Sequence, residues 1–185
     1  MKRVLIITAA FAALAAPLTG VASAKTSRAD KQEARKECRA LRGDTKATRE
    51  AFRLQFKSFG ACLNAKAKEA KAERKAAHRN AARDCRDERT ADPAAFKETY
   101  GTNHNKSNAF GKCVSQKAKA KEEKQDEADA AKAEAQTNAA KTCAAERTAD
   151  PAAFQEKWGT NHNKKNAFGK CVSQTARGEE QDGGS

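Results

Sequence analysis

Residues 85–116 read CRDERTADPAAFKETYGTNHNKSNAFGKCVSQ, and residues 143–174 read CAAERTADPAAFQEKWGTNHNKKNAFGKCVSQ. The two stretches differ at six of 32 positions and recur with a period of 58 residues. A duplicated unit therefore organises the chain, not one continuous core. A shorter, degenerate copy precedes them between Cys38 and Cys62. It keeps Ala51, Phe52 and Phe56 where the others have Ala95, Phe96 and Tyr100, or Ala153, Phe154 and Trp158. It also keeps Phe59-Gly60-x-Cys62, matching Phe110-Gly111-x-Cys113 and Phe168-Gly169-x-Cys171, but lacks the Gly-Thr-Asn-His-Asn-Lys loop.

Each copy carries one cysteine at each end. Pairing Cys38 with Cys62, Cys85 with Cys113 and Cys143 with Cys171 is, of 15 connectivities, the arrangement that gives every copy the same environment. Closing a loop of this length contributes roughly 3–4 kcal/mol through the unfolded state in the chain-entropy model. That support is needed, because after residue 24 the chain has three leucines (Leu41, Leu54, Leu63), no isoleucine and no methionine. Ordering costs about 1–2 kcal/mol per residue, and a chain so poor in large side chains cannot offset it with a single large core.

Local signals place the helices. Asp92-Pro93 and Asp150-Pro151 read as an N-cap followed by proline at the first helical position. Gly101 and Gly159 end those short helices, and Asn108 and Asn166 are expected to cap the next ones. The connectors are rich in Ala, Lys, Glu, Gln and Arg, the strongest helix formers. The expected fold is all-α, with helices near 27–41, 46–57, 61–89, 93–100, 109–146, 151–158 and 167–176 and no strands. Three small disulfide-closed modules (25–64, 85–116 and 143–174) are joined by charged helical connectors at 65–84 and 117–142, with a disordered tail at 175–185. The module cores are expected to be Phe52, Phe56, Phe59 and Leu63; Phe96, Tyr100, Phe110 and Val114; and Phe154, Trp158, Phe168 and Val172. Alanine-rich faces permit the long helices to pack but supply little drive, so the expectation is rods standing apart.

Residues 1–24 read as a secretory signal peptide: Lys2 and Arg3, an apolar run from Val4 to Ala16, then Ala22-Ser23-Ala24 before cleavage at Lys25. The 13-residue apolar run is short for a membrane span, which takes about 20 residues, and no transmembrane segment is expected after cleavage. All six cysteines lie beyond this signal, which favours an oxidising compartment and a secreted, extracellular or envelope-associated protein. The alanine-rich composition fits a bacterial exported protein.

The formal net charge is +13, unevenly spread. Residues 25–91 hold 20 Lys and Arg against 10 Asp and Glu; residues 92–185 hold 15 against 14. The basic half makes Arg35, Lys36, Arg39, Arg42, Arg49 and Arg53 candidate anion-binding residues, with cell-wall phosphate polymer, anionic lipid or nucleic acid as partner classes. Nothing in the sequence singles out nucleic acid. The loop residues Asn103, His104, Asn105, Asn161, His162 and Asn163 are candidate ligand contacts, although turn structure alone accounts for their composition. Zinc is disfavoured: Cys85, His104 and Cys113, or Cys143, His162 and Cys171, are three ligands where structural zinc wants four, and no C-x-x-C occurs. Ser115 or Ser173 beside a loop histidine lacks the third member of a catalytic set. Asn105-Lys106-Ser107 fits a glycosylation sequon, but Lys165 breaks it in the third copy. No catalytic residue, cofactor or metal is expected. The expected function is a non-enzymatic scaffold or spacer, with electrostatic binding of anionic polymers through residues 25–91 as the alternative.

Overall fold

The computed structural model describes residues 26–182, and the signal peptide expected at 1–24 lies outside them. Seven helices follow one another: α1 (Arg28–Arg42), α2 (Lys46–Phe56), α3 (Phe59–Ala91), α4 (Pro93–Tyr100), α5 (Ala109–Ala149), α6 (Pro151–Trp158) and α7 (Ala167–Asp182). There is no strand among the described residues. The last helix continues past the expected stop at 176 into the segment expected to be disordered.

Caps set the helix starts. Ser27 and Thr45 each form a reciprocal capping box, with Asp30 and Thr48 respectively. Asp92 and Asp150 accept the amides of the second and third residues of their short helices, with proline at the first position as expected. Asn108 does not cap as expected. Its side chain turns back to the preceding loop, accepting the Thr102 amide at 3.0 Å and donating to the Thr102 hydroxyl at 2.7 Å.

All three disulfides form within copies, Cys38–Cys62, Cys85–Cys113 and Cys143–Cys171, each with Cα atoms 6.0 Å apart. Each one staples a helix to the long helix that follows it, with a short helix folded into the corner between them. The chain thus runs up and down through α1, α3, α5 and α7. The expected core residues gather at the corners: Phe52 with Phe56, Phe59 and Leu63; Phe96 with Tyr100, Phe110 and Val114; Phe154 with Trp158, Phe168 and Val172.

The long helices do not stand apart as rods. The helix α3 packs along α1 and α5, and α7 packs along the far half of α5. The seams are alanine: Ala67, Ala77, Ala81, Ala118, Ala133, Ala139 and Ala140 are all buried. Each buried methyl adds only about 0.8 kcal/mol. The disulfide, however, has already brought the helix ends together, so the seam need not overcome the entropy of meeting. Ion pairs cross the seams at Lys66–Glu37, Lys117–Glu88 and Lys121–Asp84. The first and third copies share one end of the bundle. Ala47 and Ala51 of α2 pack on the third core, and Glu50 takes Arg147 through two bonds of 2.8 Å. The second copy occupies the other end.

One seam contact gives the bundle an acid limit. Asp30 is 3% exposed and accepts from Arg74 Nε and Nη2, each at 3.0 Å, and from the Ser27 amide at 2.6 Å. Burial works against its ionisation, but the Ser27 and Arg74 bonds outweigh that and hold its carboxyl below the ordinary 3.8. A depressed folded-state value means stability that is complete above about pH 4 and lost as pH falls through the folded value. Asp30→Asn should therefore cost about 1–3 kcal/mol at pH 7. The gap from wild type should narrow in denaturant melts as pH is lowered from 7 to below 3.8. An equal gap at both pH values would show that the Asp30 charge is not what holds α1 to α3.

Candidate anion-binding site

Comparing the three corners position by position exposes what is peculiar to the first. Four residues after the leading cysteine comes an arginine in every copy: Arg42, Arg89 and Arg147. In the second copy Arg89 lies over the Phe110 ring, 5.0 Å from its centroid, and the neighbouring Glu88 accepts the Tyr100 hydroxyl at 2.9 Å and pairs with Lys117. In the third, Arg147 lies 4.3 Å over Phe168, and Glu146 accepts from Trp158 Nε1 at 3.2 Å and Lys157 at 2.7 Å. Bonds from Lys117 and Lys157 hold Glu88 and Glu146 below the usual carboxylate range.

The first copy keeps Arg42 and, at the Lys117 position, Lys66, but has neither the carboxylate nor the polar ring. The glutamate is replaced by Leu41, which is buried, and the Tyr or Trp by Phe56, whose ring packs 5.3 Å from that of Phe52. Arg42 is left with no carboxylate and no ring partner among the described residues. Instead Arg42 and Phe59, the counterpart of Phe110 and Phe168, both line a cavity of about 210 Å³. Its remaining wall is Arg49, Phe52, Arg53, Lys57 and Ser58, with no carboxylate. Arg49 is held in place by donating to the carbonyls of Thr45 at 3.1 Å and Asp44 at 2.7 Å. The nearby Glu50 is committed to Arg147.

The chain reaches this cavity by an unusual path. Between Phe56 and Phe59 stand only Lys57 and Ser58, where the other copies insert Gly101 to Ala109 or Gly159 to Ala167. Lys57 makes the turn at φ 58° and ψ −41°, with the Ser58 amide bonded to the Phe56 carbonyl. This is a γ-turn of the rarer, strained hand. The other copies carry glycine immediately after the aromatic residue, and copy one carries a cation.

Along α1 the exposed Lys31, Arg35, Arg39 and Arg42 recur at spacings of four, four and three, so they fall within about 80° of arc over ~17 Å. The stripe starts at a second cavity of about 240 Å³ whose wall includes Lys31, Arg35, Lys68 and Asn64 and again no carboxylate. Of the six residues singled out from sequence, Arg42, Arg49 and Arg53 meet at the first cavity and Arg35 lies at the second. Arg39 lies between them on the stripe, and Lys36 pairs with Glu33 at 3.7 Å. Sequence reasoning missed Lys31, Lys57, Ser58 and Lys68. Aligning the copies at Leu41 and Lys57 was the signal available.

The Asn-His-Asn loops are exposed and satisfied from within. Asn161 and Thr160 bond Asn166 as Asn103 and Thr102 bond Asn108. The residues with left-handed backbone are Lys106 and Lys164, not the asparagines, at φ 54° and 55°. Gly101 is extended, and a Cβ there would meet the Lys97 carbonyl at 2.5 Å. All six sulfurs are in disulfides, and among the described residues no group of three or more His, Cys, Asp or Glu is arranged to hold a metal. Among those residues, no helix is long and apolar enough to cross a membrane. The chain matches no protein-family model, no curated protein and no solved structure.

Proposed function

We propose that the protein is a non-enzymatic, exported scaffold that attaches to a linear anionic polymer of the cell envelope through its first copy. The observation that carries this reading is the uneven pairing of charge. In the second and third copies four lysines at the corners are matched with acids, at Lys106–Glu98, Lys117–Glu88, Lys157–Glu146 and Lys164–Glu156, while Lys97, Lys112, Lys165 and Lys170 form no ion pair among the described residues. In the first copy Lys31, Arg35, Arg39, Arg42, Arg53 and Lys57 form no ion pair among the described residues. Unpaired like charges repel one another, and a counter-charge from outside relieves that repulsion. Their layout as a line, with a concave cavity at each end, favours a linear phosphate polymer over a flat lipid surface.

Such attachment proceeds by release of counterions and so weakens with salt. Binding of the full mature protein to a glycerol-phosphate polymer should fall by about 300-fold between 50 and 200 mM salt, as for a protein contacting about six phosphates of a single strand. Binding that ignores salt, or none at the lower salt, removes the attachment reading. Tighter binding to anionic vesicles than to the polymer would replace the polymer with a membrane.

A further inference from the structure

We propose that the cavity between Arg42 and Phe59 is a phosphate-group site, the point at which the first copy grips one phosphate of its polymer while the α1 stripe follows the next ones. This inference rests on the attachment reading and adds to it a discrete subsite that generic electrostatics does not require.

Three observations converge. First, the cavity exists because a packing contact present in the sister copies is absent. Where Arg89 and Arg147 lie on their phenylalanines, Arg42 and Phe59 border open space of about 210 Å³. At ~30 Å³ per water, that is room for about seven waters. It suits a phosphoryl group with some solvent.

Second, the wall supplies the donors an oxyanion needs and nothing that repels it. Arg42, Arg49, Arg53 and Lys57 bring four positive charges, and the forked donors of arginine match phosphate oxygens. Ser58 lines the same wall as the N-cap of the 33-residue α3. Its hydroxyl accepts the Ala61 amide at 3.1 Å, while the amides of Phe59 and Gly60 lie ahead of the helical hydrogen-bond ladder. They reinforce the positive field of the side chains.

Third, the tight turn between α2 and α3 places a cation at the cavity. Lys57 is exposed and occupies a backbone conformation that glycine adopts at lower cost. The left-handed lysines of the other copies, Lys106 and Lys164, pair with Glu98 and Glu156, whereas Lys57 stands beside Arg42, Arg49 and Arg53 with no acid in the same wall.

The experiment titrates inorganic phosphate, then inorganic polyphosphate, into isotope-labelled mature protein and follows backbone amide shifts. It compares wild type, the double variant Arg42→Gln/Arg53→Gln, and the charge-matched Arg35→Gln/Arg39→Gln. Circular dichroism and intact disulfides verify the fold of each. Phosphate should shift the amides of Ser58, Phe59 and Gly60 saturably in wild type and in the Arg35/Arg39 variant. In the Arg42/Arg53 variant the affinity should fall by at least about tenfold, the loss of one charge-assisted contact or more. Lys57→Gly should also weaken phosphate binding while raising the melting temperature, a split that a merely structural lysine would not show.

If both double variants weaken polyphosphate equally and phosphate alone produces no saturable shift, the subsite is refuted and diffuse attachment stands. If phosphate binds at Ser58–Gly60 but polyphosphate binds no tighter than phosphate, the subsite stands and the polymer reading falls. Absence of both effects refutes both.

Discussion

Reduction of the three disulfides without denaturant should unfold this protein at 37 °C. The bridges close loops with sequence separations of 24, 28 and 28 residues. Each is worth about 3.5 kcal/mol in the chain-entropy model, so together they contribute about 10 kcal/mol. A folded domain has only about 5–15 kcal/mol in all. The corners cannot replace that loss, since each buries only about four large side chains. The expected signature is loss of the cooperative melt and of near-ultraviolet dichroism, with partial far-ultraviolet signal left by the alanine-rich segments. Replacing Cys85 and Cys113 together by alanine should lower the melting temperature by about 10 °C, at ~2–4 °C per kcal/mol for a chain of this size. A reduced chain that melts where the oxidised one does would overturn the account of its stability.

The second large effect separates two phenylalanines that sit in nearly identical sequence. Phe168 and Phe110 occupy equivalent positions, each inside the string Asn-Ala-Phe-Gly-Lys-Cys-Val-Ser-Gln. Phe168 is 4% exposed, with Val172 buried beside it, because Ala47 and Ala51 of the first copy cover the third core. Phe110 and Val114, at the other end of the bundle, are only half-buried. Phe168→Ala should therefore cost about 3–5 kcal/mol, the usual range for emptying a buried phenylalanine site. Phe110→Ala should cost about half as much, since it loses less buried surface. Equilibrium unfolding in guanidinium reads both. Equal costs would mean that the contact between the first and third copies does not bury the third core.

That contrast shows where the sequence could be read and where it could not. Disulfide pairing, the four-residue core of each module and the boundaries of α4 and α6 followed from the repeat and from Asp-Pro punctuation. These features are local, and each copy confirms the others. The packing of α3 against α5 was not legible, because alanine every few residues suits both a solvated rod and a tight seam. The deciding factor was the covalent tie at Cys85–Cys113, whose effect on distant residues no periodicity shows. At the basic corner, composition pointed to residues 25–91 and to Arg42, Arg49 and Arg53, which line one cavity. At this corner Leu41, Phe56 and Lys57 stand where Glu88, Tyr100 and Gly101 stand in the second copy, a difference that shows once the copies are aligned. Asn108 misled for a different reason. An asparagine ahead of a helix caps it in most contexts, but here the loop competes for the same carboxamide and wins with two bonds to Thr102.

The unbroken helix α5 leaves one corner at its start and carries the next at its end, 30 residues on from Cys113 to Cys143. Each residue of an α-helix advances the azimuth by about 100°. Removing a single alanine from the connector would swing the whole third corner around the axis and point Arg147 away from Glu50. The most monotonous stretch of the chain is thus a phase gauge, free to exchange its letters and bound to keep their number.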